Sequence, residues 1–230
     1  EEKSVATSNK ELVASHGPEL LAIAKENNVN FLFEASVGGG IPIIRPLNTS
    51  ITADEVTEIT GILNGTTNYI LTKMDQEGAS YDEVLKQAQD LGYAERNPEA
   101  DVEGGDACRK IAILTSIVYG KHLDYTKIHT EGITKISTED FKYADALGVS
   151  IKLVGTTKKE GDTLYSFVAP MMLDENHPLS GIHDVFNGIF VHGNVVDDIM
   201  FYGRGAGKLP TASAVVSDVV DEVKHMGKNI

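Results

Sequence analysis

A chain of 230 residues, 41% of them hydrophobic, is long enough to bury the core of one large domain or of a domain and a half. Its 34 acidic residues outnumber its 20 lysines and arginines, and the net charge of −14 repels polyanions, so we expect no nucleic-acid partner. No apolar run reaches the roughly 18 residues of a membrane span, and residues 1–3 do not open a signal peptide, so we expect no membrane partner. The single cysteine, Cys108, packs within a predicted helix, and we therefore expect a cytoplasmic protein.

The first 35 residues carry the pattern of a strand, a helix and a strand. Residues 11–27 predict a helix that bends at Pro18, and residues 30–35 predict a buried strand. The apolar stripe of this helix is predicted to consist of Leu12, Leu20, Leu21 and Ile23. Such a unit belongs to a parallel sheet, so we interpret residues 1–35 as the last part of a Rossmann-type α/β nucleotide-binding domain whose beginning is missing.

From about residue 38 the pattern changes to longer helices that alternate with antiparallel strand pairs, which is typical of an α+β domain. A capping box at residues 80–83 opens a helix that Gly92 ends, and two more helices are predicted at 106–118 and from Ser137 to Gly148. Hairpins are predicted within residues 150–173, around Gly161, and within residues 188–202, around Gly193. A final helix, residues 210–224, is amphipathic with valines on its apolar face.

Asp106 and Lys110 lie four residues apart at the start of a predicted helix, so both side chains project from one face. By itself this spacing predicts an ordinary surface ion pair that contributes about 0.3 to 0.5 kcal/mol. Glu95, just after the helix stop at Gly92, would likewise be a solvated loop acid. The glycine-rich runs 38–40 and 203–207 match neither the Rossmann fingerprint nor the P-loop, and the histidines do not cluster as zinc ligands.

Four blocks of the sequence, in order, resemble the homoserine dehydrogenase family. They are SNK at residues 8–10, FEASVGGGIPIIRPL at 33–47, the run from GILNGTTNYILTKM to DLGYAERNPEADVEGGDACRK at 61–110, and YGRGAGKLPTASAVVSD at 202–218. The resemblance covers almost the whole chain but lacks the family's opening nucleotide-binding segment. It implies an α+β substrate-binding and dimerisation domain at residues 36–206, with a mixed sheet and helices on one face. Residues 1–35 would be the remnant of the nucleotide-binding domain, and residues 207–230 a helix that returns to it.

The resemblance also implies an activity, which is the NAD- or NADP-dependent interconversion of L-homoserine and L-aspartate 4-semialdehyde in threonine and methionine biosynthesis, carried out by a homodimer. Lys110 and Lys10 would transfer the proton, and a second cation or desolvation would have to lower the lysine pKa from about 10.4. The implied substrate-binding positions are Gly92, Glu95 and Asp106, and the implied cofactor-binding positions are Lys10 and Gly207. A monovalent cation, sodium, would be bound mainly by main-chain oxygens of Glu34, Val37, Gly39 and Ile41.

Two alternatives stay open at this point. The chain is either an active dehydrogenase or a folded, dimeric, homoserine-binding protein that is inactive without the first strands of a nucleotide-binding domain. The choice between NAD and NADP depends on the residue that meets the adenosine ribose. The segment LNGTTN, residues 63–68, is diagnostic of the family, and we interpret it as structural: a strand end, a tight turn and a helix cap.

Overall fold

The computed structural model of the chain describes residues 3–225 and residue 229. Its first part is a parallel unit of β1 (Val5–Ala6), α1 (Lys10–Glu26) and β2 (Phe31–Leu32). Val5 pairs with Phe31 in parallel register, so the predicted strand–helix–strand unit is confirmed. The second strand is shorter than predicted because a 3-10 helix, Glu34–Ser36, follows it.

Helix α1 buries a different face from the one that the sequence predicts. Leu12, Leu21 and Ile23 are exposed, and the buried positions are Val13, Ala14, Gly17 and Ala24. Small residues let α1 approach the helix Gly105–Tyr119 closely, and this contact decides the buried face. Leu20 is partly buried and packs against the core, so the predicted stripe is wrong at Leu12, Leu21 and Ile23. The prediction followed side-chain size rather than the packing distance between the helices.

The remaining elements form an α+β domain. Its helices are α2 (Ile44–Thr49), α3 (Gly65–Glu77), α4 (Tyr81–Asp90), α5 (Glu99–Val102), α6 (Gly105–Tyr119), α7 (Thr138–Leu147) and α8 (Lys208–Lys224), with a 3-10 helix at Tyr125–Lys127. Its strands are β3 (Val56–Ile62), β4 (His129–Thr130), β5 (Val149–Glu160), β6 (Thr163–Asp174), β7 (Phe186–Gly193) and β8 (Asp197–Arg204). No helix within the described ranges is both long and apolar enough to cross a membrane.

The six strands form one mixed sheet in the order β4-β6-β5-β3-β7-β8. Only the pair of β4 and β6 is parallel, so the predicted α+β class with a mixed sheet is confirmed. Both predicted hairpins form, and Glu160 faces Thr163 across the first turn. The second turn extends further than predicted, because the carboxylate of Asp54 accepts hydrogen bonds from the main-chain nitrogens of Val195 and Val196 and holds both residues in the turn.

Helices cover one face of the sheet, where the main core lies. Fully buried Ile59, Leu63 and Ile189 of the sheet region meet Ile111 and Leu114 of α6 there. A smaller apolar cluster on the opposite face lies under residues 175–184, and the rest of that face carries exposed aromatic and methionine side chains. This packing brings the first turns of α3 and α6 to the end of β3.

Helix α8 packs against the first unit through polar contacts. Arg45 Nη2 donates to buried Asp218 at 2.8 Å, while Ser4 and Asn30 donate to Glu222. The valines predicted to form the buried face are largely exposed, namely Val216, Val219, Val220 and Val223. The helix thus returns to residues 4–45, as the third predicted segment requires, although the boundaries at 35 and 206 stay a prediction and residues 226–228 and 230 lie outside the described part.

Candidate active site

The first turn of α6 carries a buried ion pair. Asp106 and Lys110 are only 4% and 8% exposed, and Lys110 Nζ lies 2.7 Å from Asp106 Oδ2. The same nitrogen donates to the carbonyl oxygen of Leu63 at 2.8 Å, at the end of β3. The pair is therefore a fixed, desolvated feature and not the solvated surface pair that its spacing alone suggests.

A second lysine reaches the same carboxylate from another element. Lys10 opens α1, and its Nζ lies 3.0 Å from Asp106 Oδ1. Burial opposes the negative charge of Asp106, but Lys110, Lys10 and a hydrogen bond from Asn64 outweigh burial and lower the pKa of Asp106 to about 2. Burial also opposes the positive charge of Lys10, but the charge of Asp106 prevails and raises the pKa of Lys10 above its usual value. Asp106 thus stays ionised between two ammonium groups.

Asn64 joins this cluster from the N-terminus of α3. Its Oδ1 accepts from Thr67 N at 2.9 Å, so the predicted helix cap is confirmed. Its Nδ2 donates to Asp101 Oδ1 at 2.8 Å and to Asp106 Oδ2 at 2.9 Å. Sequence reasoning missed this second role, and the one signal for it was that the LNGTTN segment is diagnostic of the family.

These residues surround a cavity of about 420 Å³, a size that suits a small-molecule ligand. The cavity is lined by all of the residues predicted for catalysis, substrate and cofactor: Lys10, Gly92, Glu95, Asp106, Lys110 and Gly207. A neighbouring lobe of about 240 Å³ shares Lys10, Glu95, Asp101 and Asp106 and adds Arg109. The lining also includes four residues for which the sequence predicted no binding role, namely Asn64, Thr66, Tyr93 and Arg204. The structure thus groups the predicted positions, while their individual roles stay predictions.

Two glycines on the cavity wall adopt backbone conformations that favour glycine. Gly92 follows α4 with φ +75°, and Gly207 precedes α8 with φ +120°. Because neither carries a side chain, the main chain forms the cavity wall at both positions. The amino end of α8 therefore faces the cavity opposite the amino end of α1, where Lys10 lies.

The residues predicted to bind a cation do not line this cavity but lie behind its wall. Gly40 N donates to Arg204 O at 3.2 Å, which ties the loop 37–41 to the segment before Gly207. The Glu34 carboxylate accepts hydrogen bonds from the main-chain nitrogens of Ile43, Ile44 and Arg45, so this side chain is held at the first turn of α2. Within residues 3–225, no group of three or more His, Cys, Asp and Glu side chains could hold a metal ion.

Fold and site together define a two-part architecture: an α+β domain with a charged cavity lies next to a parallel β–α–β unit of the kind from which nucleotide-binding domains are built. Residues 42–220 match the family model of homoserine dehydrogenase. The homoserine dehydrogenase of Bacillus subtilis is 49% identical over 97% of this chain and 52% of its own length, and that of Synechocystis is 48% identical over 96% and 52%. The chain belongs to the homoserine dehydrogenase family, as the four blocks predicted, and it spans about half the length of the curated relatives it matches.

Solved structures agree with this assignment. A homoserine dehydrogenase from Thiobacillus denitrificans superposes with a TM-score of 0.94 at 41% identity, over 97% of this chain and 53% of that chain. A hyperthermophilic archaeal homoserine dehydrogenase in complex with NADPH superposes with a TM-score of 0.83 at 31% identity, over 96% of this chain and 64% of that chain. The fold of the family therefore extends across nearly all of the present chain.

Proposed function

We propose that the chain provides the substrate-binding site of an NAD(P)-dependent homoserine dehydrogenase, which interconverts L-homoserine and L-aspartate 4-semialdehyde. The observation that carries the proposal is the buried Lys10–Asp106–Lys110 cluster, which lines a cavity together with Glu95. Membership of the family supports the reaction, which belongs to threonine and methionine biosynthesis, and we place it in the cytoplasm.

The amino-acid end of the substrate requires anionic partners for its ammonium group. Glu95 suits this role, because its carboxylate has no cationic partner within 4.0 Å among the described residues although it lines the cavity. Asp106 would contribute the second negative charge, and the main chain at Gly92 would form part of the cavity wall. An ammonium group would therefore enter a site where the carboxylate of Glu95 is unpaired and the carboxylate of Asp106 is held in place by the two lysines.

Lys110 is the residue best placed to move the proton. Its nitrogen donates to Asp106 and to Leu63 O, which leaves one of its three positions for the oxygen of a ligand. As a neutral amine, with its lone pair at this third position, it would accept the hydroxyl proton during oxidation, and as the resulting ammonium it would return that proton to the carbonyl oxygen during reduction. Lys10, held by Asp106, would act as a permanent cation beside it.

The residues on the cavity wall fit the nicotinamide end of a dinucleotide. Gly207 exposes main chain at the amino end of α8, and Lys10 faces it across the cavity. When bound, the nicotinamide supplies or accepts the hydride. The NADPH complex of the archaeal relative supports NADP for this chain, and NAD stays an equal alternative.

We also propose a sodium ion in the loop that contains Glu34, Val37, Gly39 and Ile41. Gly38 and Gly39, with φ +74° and +55°, turn the chain sharply, which lets main-chain oxygens converge. The donor set would consist of carbonyl oxygens, since the Glu34 carboxylate is already engaged by α2. A sodium titration of homoserine binding, with potassium as the control, tests this site.

A homodimer is proposed through the open face of the sheet, opposite the helices. Tyr165, Met200 and Tyr202 are 51%, 42% and 54% exposed there, and Tyr202 stacks on Phe186. Met200 and Tyr202 lie on the edge strand β8, and Tyr165 lies on β6, with three strands between them. Exposed apolar side chains on one face of a sheet are typical of protein interfaces. Analytical ultracentrifugation of wild type and Met200→Asp tests this proposal. Wild type should sediment as a dimer and the variant as a monomer, and a variant that remains a dimer would place the interface elsewhere.

A second candidate function is homoserine binding without turnover. It is favoured by the location of the cavity, whose lining residues all belong to this chain, whereas the strands of the parallel unit, β1 and β2, contain only two residues each. Such a chain would bind the amino acid in the same cavity. Both candidates predict binding, and only the first predicts hydride transfer.

Ligand-observed NMR of L-homoserine, followed by measurement of nicotinamide reduction, tests both candidates. Asp106→Asn should lose binding, and Asp162→Asn, in the exposed β5–β6 turn, is the matched control that should retain it. Binding with turnover supports the dehydrogenase, and binding without turnover supports the second candidate. A wild-type chain that does not bind L-homoserine would contradict both.

A further inference from the structure

A single amide nitrogen, Asn64 Nδ2, contacts two carboxylates. It donates to Asp101 at 2.8 Å and to Asp106 at 2.9 Å, and Asn64 itself is only 6% exposed. The amide orientation follows from its neighbours, because Oδ1 faces the N–H of Thr67 while Nδ2 faces two carboxylate oxygens. Both hydrogens of the amide are thereby used, one for each acid.

The two acids differ in their other partners. Asp106 has an ammonium group on each oxygen, whereas Asp101 has no cationic group within 4.0 Å among the described residues. Burial, and then the charge of Asp106, raise the pKa of Asp101 above its usual value, and the hydrogen bond from Asn64 opposes that rise. The charged groups around Asp101 are Lys10 and Glu11 from α1, Glu95 from the preceding loop, and Asp106, Arg109 and Lys110 from α6.

We infer that Asn64 is a positioning residue of the cavity, which holds Asp101 and Asp106 side by side as an ionised pair in the site of the amino-acid ligand. Without the shared donor, two carboxylates that face one cavity would repel each other. One of them would then take up a proton or turn away. This inference rests on the proposed function for the identity of the ligand, but the pairing of the acids is independent of it.

Two substitutions separate the bridging role of Asn64 from its capping role. Serine is as good a helix cap as asparagine, but its hydroxyl is too short to reach both acids, so Asn64→Ser keeps the cap and loses the bridge. Aspartate also caps α3 well and matches asparagine in shape, so Asn64→Asp keeps the cap and places a third carboxylate against the pair. Ser137→Ala removes the cap of α7, which lies in a different part of the fold, and controls for the loss of a cap alone.

The direct measurement is a carbon-13 NMR titration of the aspartate carboxyl groups, which needs no ligand. Hydrogen bonds to charged groups contribute roughly 1.5 to 3 kcal/mol, so Asn64→Ser should raise the titration midpoint of Asp101 by about 1 to 2 pH units. The rise should be larger in Asn64→Asp and absent in Ser137→Ala. The affinity for L-homoserine, measured across the same pH range, should fall about 10- to 100-fold in Asn64→Ser. The loss of affinity on acidification should also begin at a higher pH in this variant than in wild type.

A purely structural role for Asn64 would give a different pattern. In that case Asn64→Ser and Asn64→Asp, which keep the cap, would leave the melting temperature, the midpoint of Asp101 and the pH profile of binding unchanged, while Ser137→Ala alone would lower the melting temperature. That outcome overturns the inference. Failure of the proposed function is recognised separately, because the wild-type chain would then not bind L-homoserine, whereas the carboxyl titration would still report on the bridge.

Discussion

Replacing Asp106 by asparagine tests the central electrostatic feature of the site. The pKa of Asp106 is lowered from 3.8 to about 2, and at 1.36 kcal/mol per unit this shift corresponds to about 2.5 kcal/mol of stabilisation at neutral pH. Removing the carboxylate also leaves the buried ammonium of Lys110 without its partner, a change that typically costs about 3 to 5 kcal/mol. These two figures describe the same interactions of Asp106 and are not added. Because Lys10 is 37% exposed in its side chain and can turn toward water, we expect a loss of about 2 to 4 kcal/mol at pH 7.

The sign of the pH dependence is defined by the direction of the shift. Since the folded-state pKa lies below the unfolded value, ionised Asp106 stabilises the protein above about pH 4, and this stabilisation is lost as the pH falls from about 4 toward 2. Urea unfolding of wild type and Asp106→Asn at a series of pH values measures the difference. The two proteins should differ most near neutral pH and converge in acid.

Asp101→Asn is the matched control in the same cavity. The pKa of Asp101 is raised by burial and by the charge of Asp106, so its ionised form costs stability and its removal should destabilise the protein far less than Asp106→Asn. If Asp106→Asn lost less than about 1 kcal/mol at pH 7, or if its difference from wild type were the same in acid, the electrostatic account of the cluster would be refuted.

Three further predictions concern other parts of the chain. In a form that turns over, Lys110→Ala should reduce kcat by at least about 100-fold with little change in homoserine binding, and near-normal turnover would remove the lysine from its role. Burial raises the pKa of Asp218 to about 6, so its ionisation costs stability at neutral pH. As the pH falls from 7 to 4, the free energy of unfolding of wild type should therefore rise by about 2 to 3 kcal/mol relative to that of Asp218→Asn. A difference in urea unfolding that stays constant over this pH range would contradict the prediction. A methyl group added at Gly205 would overlap the buried amide of Asn187, so Gly205→Ala should lower the melting temperature by several degrees, whereas Gly181→Ala, where nothing lies within 4 Å, should leave it unchanged.

Local signals in the sequence predicted most elements correctly. Ser80 and Ser137 cap the amino ends of α4 and α7, and Gly120 and Gly148 end α6 and α7 in the left-handed conformation. These signals work because capping and turn formation involve residues within four positions of each other. The order of four sequence blocks also identified the family, since each block carries its own pattern of residues.

The faces of the surface helices were predicted poorly. Large apolar residues of α1 and α8, among them Leu21 and Val219, are exposed, while buried Ala14 and Asp218 make the contacts of these helices. Amphipathicity reports where apolar residues lie around a helix, but the neighbouring element decides which face is covered. A polar residue such as Asp218 is buried because Arg45 and the main chain of Glu34 satisfy it, and no local pattern encodes those partners.

The sequence by itself determined the helices, the hairpins, the family and the pairing of Asp106 with Lys110, because each depends on residues close together in the chain or on motifs of fixed spacing. Tertiary structure alone decided that Lys10 reaches Asp106 from α1 and that Asn64 bridges Asp106 and Asp101. Both contacts join elements that are distant in the chain and depend on how the helices pack against the sheet. The same packing excludes water from the cluster, so an ion pair that would be weak on a surface becomes a buried one, and the nearby positive charges lower the pKa of Asp106.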